Sequence, residues 1–101
     1  MKFIWVVLVN VKPLKEAGAI LGGATGAYVN VLALAKDVSG CRLLVNESLR
    51  ESGFEVISID IPEKLEACIS RGPSNMIEIT ELSKNLNARC LVEYDEFQAY
   101  D

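Results

Sequence analysis

The chain has 101 residues, of which half are apolar and about a quarter are charged, and its formal net charge is −4. This length and composition predict one folded globular domain rather than a disordered chain. The acidic balance argues against a nucleic-acid partner, because phosphates would be repelled. No apolar stretch approaches the roughly 20 residues that span a bilayer, so we expect no membrane partner.

Two apolar segments predict the central strands of a sheet. Residues 3–11 (FIWVVLVNV) and 27–36 (AYVNVLALAK) are rich in β-branched and aromatic side chains, and their nearly continuous apolar character predicts burial on both faces. Residues 12–26 contain Pro13 and four glycines, which predict a flexible connection. We expect the two strands to pair as a hairpin across this connection.

The next segments predict a helix followed by a third strand. Asp37 is a suitable N-cap, and Gly53 is a suitable C-terminal stop. Between them the apolar residues recur at spacings of three and four: Val38, Cys41, Leu44, Val45 and Leu49. Residues 54–61 (FEVISIDI) alternate in polarity, as a strand with one buried face does.

The remaining residues predict two further helices and a last strand. Asp60, Pro62 and Glu63 are close to a capping box, which predicts a short helix that ends at Gly72. Asn75 and Glu78 form a second start signal of this kind. The apolar stripe of that helix consists of Ile79, Leu82 and Leu86, and the last strand is predicted over residues 90–100 (CLVEYDEFQAY).

The order strand, strand, helix, strand, short helix, helix, strand predicts an α+β fold. We expect a small antiparallel or mixed four-stranded sheet with two main helices on one face, either ferredoxin-like or a rearranged relative. If the strands on either side of the first helix are parallel, their crossover should be right-handed. One domain would then span residues 1–101.

Histidine is absent from the chain, and the cysteines at positions 41, 68 and 90 are widely separated. Histidine is the commonest general base and a common metal ligand, so its absence removes the usual partner of a nucleophilic serine or cysteine. The cysteine spacing matches neither a disulfide framework nor a zinc motif. We therefore expect no catalytic residue, metal or cofactor, and three reduced core cysteines of a cytoplasmic protein.

The glycine-rich segment from Ala19 to Ala27 (AILGGATGA) resembles the phosphate-binding turn of short-chain dehydrogenase-type Rossmann domains. That resemblance implies an anion-binding loop, whose residues would be Gly22, Gly23, Thr25 and Gly26. Against it, Val29 stands where a third glycine would pack, and the residues that follow favour a strand. We expect a plain connection, with the anion-binding loop as the alternative.

The C-terminal residues 93–101 interleave four acids with three aromatics. Aromatic side chains supply contact area and acidic ones attract a basic partner, so this tail is a candidate recognition surface. Its candidate partner-binding residues are Tyr94, Asp95, Glu96, Phe97 and Tyr100. The alternative is a final strand that packs Tyr94 and Phe97 inward and leaves its acids in water.

These observations favour a non-enzymatic binding or regulatory module that acts through protein–protein contact as a homodimer. The two apolar strands exceed what two helices can cover, and pairing across a two-fold axis would bury the excess. The alternative is an acidic inhibitor or immunity-type protein that caps a basic partner, since residues 47–101 carry a net charge of −7 against +3 for residues 1–46. A small-ligand protein that uses the glycine loop at 22–26 is a third hypothesis.

Overall fold

The computed structural model describes residues 1–14, 24–71 and 76–100. Within these ranges the chain has an α+β fold with a six-stranded open sheet and three helices. The elements in chain order are β1 (Phe3–Pro13), β2 (Gly26–Ala35), α1 (Val38–Glu51), β3 (Phe54–Ile59), β4 (Glu63–Lys64), α2 (Leu65–Arg71), α3 (Met76–Ser83), β5 (Val92–Tyr94) and β6 (Gln98–Tyr100). None of these helices is long and apolar enough to cross a membrane.

The sheet is centred on the β1–β2 hairpin, which confirms the predicted pairing. Its register runs from Phe3 opposite Ala35 to Val11 opposite Ala27. β3 and β4 pair with the outer edge of β1, while β5 and β6 pair with the outer edge of β2, and every pairing is antiparallel. Since β2 and β3 both run antiparallel to β1, they are parallel to each other, and α1 connects them across β1.

The helix α1 covers one face of the sheet. Alternate residues of the central strands project towards it, as the two-residue period of a strand requires. The buried side chains on this face are Trp5, Val7, Val9, Val11, Ala27, Val29, Val31, Ala33 and Ala35, which form one cluster with Cys41, Val45, Leu49 and Phe54. We call this side of the sheet the α1 face.

A second, smaller apolar cluster lies on the opposite face. Val6 and Leu32, which alternate with the residues of the α1 face, pack there with Cys68 of α2 and Ile79 of α3. The helices therefore cover both faces, and the expectation of helices on one face is wrong. The reason is in the strands: β1 and β2 are apolar on both faces at this end, so both faces require cover.

The strand count and order also differ from the expectation, and the ferredoxin-like arrangement is not confirmed. The sheet order is β3-β1-β2-β5, with β4 and β6 as additional partners of β1 and β2. The predicted last strand is divided into β5 and β6 at residues 95–97, where the Asp95 side chain accepts a hydrogen bond from the Glu96 amide at 2.8 Å. Glu63 belongs to β4, so it is not part of a capping box, and α2 begins at Leu65.

The ends of α1 confirm the predicted capping. The Asp37 carboxylate accepts a hydrogen bond from the Gly40 amide at 2.7 Å and satisfies one of the free donors of the first turn. After the C-cap at Ser52, Gly53 has φ 93°, a left-handed conformation that glycine adopts without strain. The predicted start signal at Asn75 lies outside the described residues.

Candidate functional site

The face opposite α1 is covered at one end only. Beyond Val6 and Leu32, the same face continues along both central strands to residues that no helix within the described ranges covers. We call this surface the open sheet patch and define it by Leu8, Asn10, Tyr28, Asn30 and Tyr100. The exposed fraction is 38% for Leu8 and 46% for Tyr28, although both lie on central strands.

The strand register places these five residues together. Leu8 lies opposite Asn30, and Asn10 lies opposite Tyr28 on the next cross-strand row. β6 extends the patch beyond β2, because Tyr100 lies opposite Gly26 and Gln98 opposite Tyr28. Facing and diagonal side chains on one face of a sheet are close enough to form a continuous surface.

Two tyrosines and one asparagine give this patch a defined arrangement. The Tyr100 hydroxyl donates a hydrogen bond to the side-chain carbonyl of Asn10 at 2.5 Å. The rings of Tyr28 and Tyr100 are tilted by 39° with their centroids 5.4 Å apart. The hydrogen bond to Asn10 fixes the position of the Tyr100 ring. The Tyr28 ring packs against Tyr100 and is otherwise largely exposed to solvent.

No charged side chain belongs to the five residues of the patch, and charges are found at its margins. At one end, Lys12 forms an ion pair with Glu55 across β1 and β3 at 2.8 Å. The hydrogen bond and the negative charge of Glu55 raise the pKa of Lys12. The arrangement is suited to contact with an uncharged, hydrogen-bonding surface.

The five tail residues predicted as one recognition surface lie on different sides of the sheet. Tyr94 hydrogen-bonds with the Ser48 hydroxyl of α1 and packs against the α1-face cluster. Phe97 stacks on Phe54, with centroids 5.0 Å apart and ring planes at 21°. Tyr100 instead belongs to the open sheet patch.

Asp95 and Glu96 lie outside the aromatic packing of the tail. Glu96 is exposed, while Asp95 is half-buried and its amide donates a hydrogen bond to the Asn30 carbonyl at 2.9 Å. A basic partner of the tail would therefore meet mainly acidic side chains, because Tyr94 and Phe97 pack against the rest of the fold. The acidic inhibitor remains a hypothesis that the placement of these aromatics does not support.

The glycine loop is described only in part. Gly22 and Gly23 lie outside the described residues, and Thr25 is exposed. Gly26 begins β2 beneath the Tyr100 ring: a Cβ there would lie 2.6 Å from Cζ of Tyr100 and 2.9 Å from the Val11 carbonyl oxygen. The close approach of the Tyr100 ring and the β1 backbone explains why this position requires glycine.

The thiols of Cys41 and Cys90 are poorly suited to act as nucleophiles, because both have raised pKa values. Cys41 is fully buried, and desolvation of its thiolate raises its pKa to about 11. Cys90 is half-buried; its thiol lies 3.1 Å from the Glu93 carboxylate, and this hydrogen bond raises the pKa of Cys90. Within the described ranges, no group of three or more acidic or cysteine side chains is placed to hold a metal ion.

No sequence pattern predicted Leu8, Asn10, Tyr28 or Asn30 as candidate site residues. Asn10 and Asn30 are the polar exceptions in two apolar strands, which was a usable signal. Their placement on one face depends on the hairpin register, and the 12–26 connection leaves that register open in the sequence. A scan of protein-family models, a search of curated proteins and a search of solved structures give no match to this chain.

Proposed function

We propose that this protein is a non-enzymatic binding module that acts as a homodimer, with the open sheet patch as its contact surface. The observation that carries the proposal is the exposure of Leu8 and Tyr28 on the two central strands of the sheet. Large apolar side chains at such positions are ordinarily covered, and a contact that buries them gains free energy in proportion to the apolar area removed from water.

The chemistry of the patch favours a second copy of the chain as the partner. In a two-fold interface, residues close to the axis meet their own copies, so like charges there repel. The patch has no charged member, and the side-chain amide of Asn30 can both donate and accept a hydrogen bond. Two copies can therefore meet at these five residues without placing like charges in contact.

The size of the patch predicts a weak dimer. It extends over about three strand positions at ~4.8 Å spacing and about four residues along each strand, so it covers on the order of 200 Å² of each copy. Stable dimers ordinarily bury about 800 Å² per partner, and smaller interfaces belong to weak or transient complexes. We expect dissociation in the micromolar range or weaker.

Sedimentation equilibrium over a range from about 1 µM to 1 mM tests the proposal. The wild-type protein is expected to pass from monomer to dimer within this range, and Tyr28→Lys is expected to remain monomeric because two ammonium groups would meet at the interface. Leu43→Lys is the matched control: Leu43 is 62% exposed on α1, on the other side of the sheet. This variant should dimerise like the wild type.

Two results would contradict the proposal. One is a wild-type protein that stays monomeric throughout the concentration range. The other is a dimer whose dissociation constant is unchanged by both Tyr28→Lys and Leu8→Lys, since the contact surface would then lie elsewhere. Circular dichroism of each variant confirms that the fold is retained before the comparison is made.

A further inference from the structure

A pocket of about 360 Å³ lies at the N-terminal end of β1, beside the start of α2. It is lined by Lys2, Phe3, Ile4, Lys64, Leu65 and Glu66. β4 pairs with β1 only at Trp5 and Val6. The edge of β1 at Phe3 and Ile4 therefore has no partner in β4, and it borders this pocket. The pocket is separate from the open sheet patch, which begins at Leu8.

The lining combines an apolar surface with two cations. Phe3, Ile4 and Leu65 are each half-buried and so present part of their side chains to the pocket. The Lys64 ammonium lies 3.9 Å from the ring centroid of Phe3 and 5.9 Å from that of Trp5, where the negative faces of the rings attract it.

The two lysines give the pocket a positive balance. Among the described residues, neither Lys2 nor Lys64 forms an ion pair within 4.0 Å. Glu66 contributes one negative charge against these two positive ones. The pocket is therefore positively charged although the whole chain has a net charge of −4. This local positive charge favours an anionic ligand.

We propose that this pocket binds a small carboxylic acid with an aliphatic body. The carboxylate accepts hydrogen bonds from the Lys2 and Lys64 ammonium groups, and the aliphatic body packs against Phe3, Ile4 and Leu65. The volume lies at the lower end of the range of about 300–1,000 Å³ that is usual for small-molecule sites. Binding of this ligand is non-covalent.

The lining favours a ligand that has both a carboxylate and an aliphatic body. An inorganic anion such as phosphate would leave the apolar side chains exposed to water, so it gains only the electrostatic contribution. A neutral alkyl compound would cover those side chains but would displace water from two ammonium groups without replacing its hydrogen bonds. The combination of charge and apolar length therefore determines which ligand is favoured.

Titration with octanoate, followed by ¹H–¹⁵N correlation spectra, tests this proposal. We expect saturable shifts of the amide signals of Phe3, Ile4 and Leu65, together with a change in Trp5 fluorescence. Octanol and inorganic phosphate should each bind at least tenfold more weakly. Lys64→Gln should weaken octanoate binding about tenfold, whereas Lys84→Gln, which removes an equal charge at Glu81, should not weaken it.

Three outcomes would overturn the proposal: no saturable shift up to 10 mM octanoate, equal binding of octanol, or shifts confined to residues outside the pocket. If Lys64→Gln alters the spectrum of the free protein, Lys2→Gln provides the second test, because Lys2 is exposed and makes no aromatic contact with the described residues. The result is independent of the dimer, since the octanoate titration of the monomeric Tyr28→Lys variant should give the same affinity.

Discussion

The hydroxyl of Tyr100 donates a hydrogen bond to the side chain of Asn10 at 2.5 Å, and so joins residues 90 positions apart in the chain. β6 has only three residues, and three backbone pairs connect it to β2. The Tyr100 side chain crosses β2 above Gly26 to reach β1. This contact links the last strand to the first.

Tyr100→Phe should lower the free energy of unfolding by about 1 kcal/mol, the usual net contribution of one hydrogen bond. The ring and its contact with Tyr28 are kept, so the loss measures the bond to Asn10. Urea unfolding followed by Trp5 fluorescence provides the measurement. Tyr28→Phe is the matched control and should have little effect, because the exposed Tyr28 ring has no such hydrogen bond within the described residues. Equal losses in both variants would contradict this assignment.

Gly26→Ala should destabilise the protein by about 1–3 kcal/mol, the usual effect of adding a methyl group where there is no room. The new Cβ would meet the Tyr100 ring at 2.6 Å and the Val11 carbonyl oxygen at 2.9 Å. Gly40→Ala should have a smaller effect, since its nearest obstacle is the exposed Asp37 carboxylate at 3.1 Å. Thermal unfolding compares the two variants. A Gly26→Ala protein as stable as the wild type would show that Tyr100 does not lie over this glycine.

Phe97→Ala should cost about 2 kcal/mol or more, because it removes a half-buried ring that stacks on Phe54 and contacts Tyr94. Glu96→Ala removes the exposed neighbour and should change stability by less than about 0.5 kcal/mol. The free energies of unfolding of the two variants decide whether the tail is core or surface. If Phe97→Ala is neutral, Phe97 is free to contact a partner, and the acidic inhibitor hypothesis gains support.

Glu93→Gln should accelerate alkylation of Cys90 by iodoacetamide at pH 8. The carboxylate accepts the thiol hydrogen bond and repels the thiolate, which raises the pKa of Cys90. Removing that negative charge lowers the pKa, so a larger fraction of Cys90 is thiolate at a fixed pH. Peptide mapping by mass spectrometry assigns each modified cysteine.

Cys41 and a neighbouring acid, Glu96, provide the controls. Cys41 should stay unmodified in the native protein at pH 8, because it is buried and its pKa is about 11. Glu96→Gln removes an equal charge three residues from Glu93 and should leave the Cys90 rate unchanged. A Cys90 rate that is insensitive to Glu93→Gln would show that the carboxylate does not control this thiol.

Local signals in the sequence were sufficient to predict most elements of the fold. The β-branched residues of β1 and β2, the Asp37 N-cap and Gly53 each depend on neighbours within a few positions. The predictions were less accurate where a short segment takes its conformation from a distant strand. Glu63 and Lys64 have the sequence of a helix start, yet they pair with Val6 and Trp5 of β1. The tail divides into β5 and β6 as Phe97 packs onto Phe54, 43 positions away.

The amino-acid sequence is sufficient to predict an α+β fold with two apolar central strands, a capped helix α1 and no histidine chemistry. Those properties follow from composition and from patterns that repeat every two or every three to four residues. Which residues share a face depends on long-range contacts: these place Tyr100 against Asn10, direct Tyr94 towards α1, and leave Leu8 and Tyr28 exposed. A one-residue change in strand register would exchange the two faces, and that register depends on contacts across the sheet that no local pattern contains.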